Sequence, residues 1–209
     1  MKTYEKNILK VFHRSTSAEI TNGIYWYDNA NRIAKELSVV FSIPETTACL
    51  VISALSPNNS WTRNISDAWK VCKCWYTTKT WDDAGKIASY AHCVTCTYSA
   101  NKQKAFDILN GKLLDLNGLK TQNFARNLNG CLDSVTVDVH AFSIVKGKRF
   151  TAKDMKAIKP RDYTAIADAY RTVAKTLEVK PAQLQAICWA TWRRLHGLTT
   201  HQELTGKLF

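Results

Sequence analysis

Two residues within the stretch Leu114 to Val145, LDLNGLKTQNFARNLNGCLDSVTVDVHAFSIV, are of types that do chemistry: Lys120 and Asp138. Lys120 follows the Asn117-Gly118 turn, in the first turn of an expected helical run that Gly130 breaks. An ammonium is disfavoured at the positive end of a helix, and an amine that sheds its proton is a nucleophile. Asp138 interrupts an apolar run and precedes a helical pattern of Val139, Phe142, Ile144 and Val145. Its plain reading is an N-cap, with the carboxylate accepting from the amides of the helix start. Lys120 alone is one lysine among many, and most lysines are solvated. Together an amine and a carboxylate supply a nucleophile and a general base. His140 and His196 read as structural: the first as a hydrogen-bonding group at a helix start, the second near a helix C-terminus, where a cationic ring is favoured.

The elements that must position these groups are helical. Ile24, Tyr27, Ala30, Ile33, Ala34, Leu37 and Phe41 recur at spacings of three and four, which predicts an amphipathic helix over about 25–41, ended by Ser42-Ile43-Pro44. The segment 45–55 is apolar on nearly every face and belongs at the centre of the core. A polar loop follows at 56–60, then Trp61 and a helix over about 62–75. Asn58, Asn59 and Trp61 suit contact with a ligand, beside the plain reading of a turn. Residues 77–94 read as irregular or weakly helical. A helix over 101–109 turns Ala105, Ile108 and Leu109 inward and Lys102 and Lys104 outward, and Asn110-Gly111 stops it. Gly147-Lys148-Arg149 makes a basic turn. Two more helices follow at about 162–177 and 181–195; the last buries Leu184, Ile187, Cys188 and Trp192 and presents Arg193 and Arg194 at its end. Pro181 suits a first helical turn and Gly197 the position past its end. The expectation is an all-α chain, two helical lobes formed by one continuous fold over residues 1–209.

Bulk properties narrow the classes. With 45% hydrophobic and 22% charged residues in 209, the chain can bury one sizeable core or two small ones, and disorder is excluded. Four prolines and eight glycines are few for an all-β protein. The 29 basic against 17 acidic residues give +12 and a pI near 9.4, which favours a polyanionic partner, nucleic acid first. MKTYEKNILKVFHR has no apolar core of signal-peptide length and no run approaches a membrane span, so a cytoplasmic place and no membrane partner are expected. Cys93-x-x-Cys96 resembles half of a zinc site, but Cys72-x-Cys74 has the wrong spacing for the other half. Reduced thiols, with no metal and no cofactor, are the expectation.

In order and spacing, several segments resemble the helix-hairpin-helix DNA glycosylase superfamily, nearest its endonuclease III branch. GLKT at Gly118 to Thr121 resembles the hairpin running into Lys-Thr, and the eighteen positions from Lys120 to Asp138 resemble the branch's lyase lysine and catalytic aspartate. VTVDVHAF resembles its Val-Asp-x-His segment, LVISALSPNNSW the helix and loop that enter the minor groove, YSANKQKA the helix before the hairpin, and ICWATWRRLHG the closing helix. Leu116 stands where the family hairpin has its first glycine, and the cysteine quartet of many members is absent after the last helix. The resemblance implies a two-lobed helical bundle with a hairpin near 112–129. It also implies double-stranded DNA with a modified or damaged base as partner. Asp138 would be the catalytic carboxylate and Lys120 the lyase amine. Gly118 and Thr121 would hold a phosphate, with Lys148, Arg149, Arg193 and Arg194 as further backbone contacts. Asn58, Asn59 or Trp61 would fill the space of a flipped base. Two alternatives stand beside glycosidic cleavage. One is a phage transferase of this fold that attaches an amine or amino acid to an activated thymine, with Asp138 as base. The other is a DNA-binding module without catalysis.

Overall fold

A computed structural model describes residues 2–151 and 158–198, and the ordered elements among them are ten α-helices with no strand. They are α1 (Thr3–Phe12), α2 (Ser17–Phe41), α3 (Glu45–Leu55), α4 (Trp61–Thr78), α5 (Asp83–His92), α6 (Ser99–Leu109), α7 (Leu119–Leu128), α8 (Val139–Lys146), α9 (Pro160–Thr176) and α10 (Pro181–Leu195). The chain is all-α. It divides into two compact units, one combining the chain up to Ala30 with the described residues from Gly130 on, the other Asn31–Asn129.

In the second unit α3 is the centre, packed against α4, α6 and α7, with α5 on α4. Ala48, Cys49, Val51, Ile52, Ala54 and Leu55 are all buried, as expected for a helix apolar all round. Val51 and Ile52 are β-branched, which costs only tenths of a kcal/mol in a helix. Burying each is worth about 1.5–3 kcal/mol, so packing decides the conformation. The one buried polar side chain of α3, Ser53, is satisfied: its hydroxyl donates to the Thr121 carbonyl at 2.7 Å and ties α3 to α7. Tyr90 of α5 stacks on Phe106 of α6 at 3.7 Å between ring centroids.

The first unit packs α1, α8, α9 and α10 around Ile8, Val11, Val135, Val137, Ile144, Ile166, Tyr170, Leu184 and Trp192. α10 starts on Pro181, whose missing N–H costs nothing at that position. It ends where Gly197 takes φ 65°, letting the Leu198 amide reach back to the Arg193 carbonyl at 2.8 Å. α8 ends alike: Gly147 is left-handed and the Lys148 amide bonds the Ser143 carbonyl at 3.2 Å. A side chain at Gly23 of α2 would place Cβ 2.7 Å from the Ile187 backbone nitrogen, so glycine is what lets α2 lie directly against α10.

Two helical boundaries differ from the sequence expectation, the start of α2 and the end of α4. α2 begins eight residues before Tyr25. Its start has little apolar periodicity and is made by a capping box, in which the Thr16 amide donates to Glu19 Oε2 at 2.8 Å and the Glu19 amide to Thr16 Oγ1 at 3.2 Å. The region read as irregular or weakly helical contains α5, capped by Asp82, which accepts from the Gly85 amide at 2.8 Å. Its apolar pattern is weak because Tyr90 is its only buried residue. α4 runs on to Thr78, past the expected end at Trp75. Lys102, expected to point outward, is half-buried and donates to the carbonyls of Cys93 at 2.9 Å and Ala91 at 3.3 Å.

Candidate functional site

In the first unit the candidate catalytic carboxylate is Asp138. It is the N-cap of α8, and its Oδ1 accepts from the Ala141 amide at 2.8 Å. Oδ2 takes no hydrogen bond among the described residues, and the side chain is half-buried. The extended segment leading to it, Val135 to Val137, is buried and pinned by one phenol. Tyr163 donates to the Val135 carbonyl at 2.8 Å and accepts from the Val137 amide at 3.1 Å. Tyr27 donates to Gln185 Oε1 at 3.1 Å. Burial pushes the Tyr27 phenol far above its ordinary range, against a hydrogen bond with Thr136, and the charge of Asp138 pushes it further. Tyr170 is fully buried and raised by burial first, then by Cys188 and Asp138. The charge of Asp138 thus adds to what burial does at both phenols.

Around the same helix start, His140 meets Trp189 edge-on at 6.2 Å, and the Arg193 guanidinium lies over the Trp189 ring at 4.7 Å. Arg193 also donates to the Leu198 carbonyl. Arg194 is committed to its own protein: Nε donates to Glu19 Oε1 at 2.7 Å and Nη2 to the Arg14 carbonyl at 2.7 Å. The Arg194 side chain nevertheless stays 41% exposed. Lys148 and Arg149 are exposed on the turn after α8, Lys148 over the Phe150 ring at 4.9 Å.

In the second unit, Gly118 is the N-cap of α7, exposed and in an ordinary extended conformation, φ −94°. Its carbonyl accepts from the Gln122 amide at 2.8 Å and from Thr121 Oγ1 at 3.0 Å. Gly118 has no side chain with which to cap α7, and the first turn of a helix carries N–H groups of the kind that bind phosphate. Lys120 is the second residue of α7, half-buried and without an ion pair among the described residues. Leu116, in place of a glycine, is an inward anchor at 3% exposure.

The loop before α4 separates its three candidates. Asn58 is exposed and left-handed, φ 56°, with Nδ2 3.5 Å from the hydroxyl of exposed Tyr98. Asn59 is held down, donating to Asp67 Oδ2 at 3.0 Å and to the Leu55 carbonyl at 3.4 Å. Trp61 is 7% exposed and packs as part of the core. Asp67 is fully buried, and its two oxygens also take the Cys96 amide at 2.9 and 3.0 Å, so one carboxylate fixes two loops. The sequence reading missed Asp67, Tyr98 and Tyr163; the first and last act through partners distant in sequence and leave no local pattern. The cysteines are free thiols, and no three of His, Cys, Asp or Glu among the described residues group as a metal site.

No curated protein and no solved structure matches this chain. A family model does match, over residues 1–196: the chain belongs to DUF7178, a family of unknown function.

Proposed function

We propose that the chain is a DNA-acting enzyme of helix-hairpin-helix glycosylase type, which takes a modified or damaged base out of the duplex and cleaves its N-glycosidic bond. The observation that carries the reading is Asp138: a carboxylate fixed by its helix through one oxygen, with the other free of hydrogen bonds among the described residues, on a segment locked by Tyr163. A target base must leave the stack because its anomeric carbon is otherwise shielded. Asp138 then stabilises the positive charge that grows on the sugar, or takes the proton of the attacking water, while the base departs with the electron pair of the C1′–N bond. Lys120 is assigned the lyase branch, in which its amine attacks C1′ and forms an imine. The N-terminal end of α7 behind Gly118 suits a phosphate, and Lys148 and Arg149 suit backbone contacts. The net charge of +12 supports a polyanionic partner.

The test is mass spectrometry of products after incubating DNA with the protein and with Asp138→Asn. The panel comprises damaged, mismatched and hypermodified pyrimidine substrates, with and without free amino acids. A free base released by the wild type alone supports the proposal. A mass gain on an intact nucleoside would replace it with amine transfer. Unchanged DNA bound equally by both proteins would leave a binding module.

A further inference from the structure

An open cleft of about 410 Å³ in the second unit is lined by Lys70, Lys73, Cys74, Thr77, Cys93 and Val94 and contains none of the residues assigned to DNA. Two half-buried thiols reach it from different elements, Cys74 from α4 and Cys93 from the C-terminal end of α5. Ser89 links them. The Cys74 sulfur lies 3.3 Å from Ser89 Oγ and 3.7 Å from the Ser89 carbonyl, and that same carbonyl accepts from the Cys93 amide at 3.1 Å. The thiols also sense each other. Burial pushes Cys93 up to about 11, Cys74 adds to the rise by charge and by side-chain hydrogen bond, and Lys102 and Lys70 oppose it. The other thiols lack this setting: Cys49, Cys72 and Cys188 are buried, and Cys96 and Cys131 are exposed.

We propose that Cys74 and Cys93 form a reversible dithiol–disulfide pair, oxidised by an anionic low-molecular-weight disulfide that the lysine-lined cleft attracts. One thiolate attacks the small disulfide and expels a thiolate; its neighbour then attacks the mixed disulfide and expels the second. Two protein thiols and one small disulfide become one protein disulfide and two small thiols, so hydrogens and electrons balance. The lysine charge opposes the rise at Cys93 and draws the anionic disulfide toward both thiols. The bond closes a loop around α5 and anchors the start of the segment that carries the Cys96 amide onto Asp67 and Tyr98 beside Asn58. The pairing is independent of the DNA reading.

The full chain with Cys96→Ser and Cys131→Ser is equilibrated in buffers of glutathione and glutathione disulfide, quenched by alkylation and mapped by mass spectrometry. The expected result is loss of two hydrogens from the intact mass, a Cys74–Cys93 cross-linked peptide, and full reversal by dithiothreitol. Adding Cys74→Ser or Cys93→Ser should abolish the loss, leaving at most a glutathione adduct on the remaining thiol. Alkylation of both thiols at oxidising ratios, or stable glutathione adducts on both, would overturn the pair.

Discussion

At Asp138 the cap and the proposed chemistry use different oxygens, since Oδ1 holds the Ala141 amide at 2.8 Å and Oδ2 takes no hydrogen bond among the described residues. Asparagine caps as well as aspartate, so Asp138→Asn should leave thermal stability within about 0.5 kcal/mol, while Asp138→Ala should lose about 1 kcal/mol. Melting curves of the two variants check this, and an equal loss in both would mean that the charge, and not the cap, holds α8. Tyr163→Phe removes the hydroxyl shared by the Val135 carbonyl and the Val137 amide. It should cost about 1–3 kcal/mol in chemical denaturation, because both backbone groups are left buried. Lys120→Gln should abolish borohydride trapping of DNA and spare base release; trapping that persists would remove Lys120 from the lyase role. Asp138 was legible as a cap because its partner is three residues away. Tyr163 was not, because its partners lie 26 and 28 residues away and meet it only in the folded core.

Among the elements, α3 and α10 were read to the residue, since an apolar run bounded by Pro44 and by Ser56-Pro57, and a stripe between Pro181 and Gly197, leave little freedom. The start of α2 and all of α5 depend instead on caps, Thr16 with Glu19 and Asp82, whose signals are polar and short. Gly23→Ala tests how closely α2 lies on α10. With a Cβ 2.7–2.8 Å from the Ile187 backbone, something must shift, and a loss of about 1–3 kcal/mol is expected in thermal or chemical unfolding. Glu19, 4% exposed, joins the same two helices. Burial pushes its carboxyl up, but Arg194 and Thr16 together outweigh burial and hold it below its ordinary value near 4.5. A depressed acid contributes stability above its unfolded pKa and loses it as pH falls through the folded value. Glu19→Gln should therefore destabilise at neutral pH and narrow the gap to wild type below about pH 4.5. Because the Arg194 side chain is 41% exposed, solvent screening keeps the neutral-pH effect to about 1–2 kcal/mol.

For the whole molecule the sequence made the class plain, all-α and basic, and left the chemistry to residues whose setting only folding creates. No single helix among the described residues is long and apolar enough to cross a membrane. If the +12 charge serves DNA, affinity should fall steeply with salt, by about 0.9 log units per tenfold salt for each phosphate contacted. Replacing Lys148 and Arg149 by Ala should reduce that slope by about one to two, measured by fluorescence anisotropy across a salt series; an unchanged slope would place the phosphate contacts elsewhere. The measurement that bears most directly on the proposed function is single-turnover base release by wild type and Asp138→Asn, on the most reactive substrate of the panel, with DNA affinity measured alongside. Loss of about 100-fold or more in rate, at unchanged affinity and stability, is the predicted result. Equal rates would contradict a catalytic Asp138.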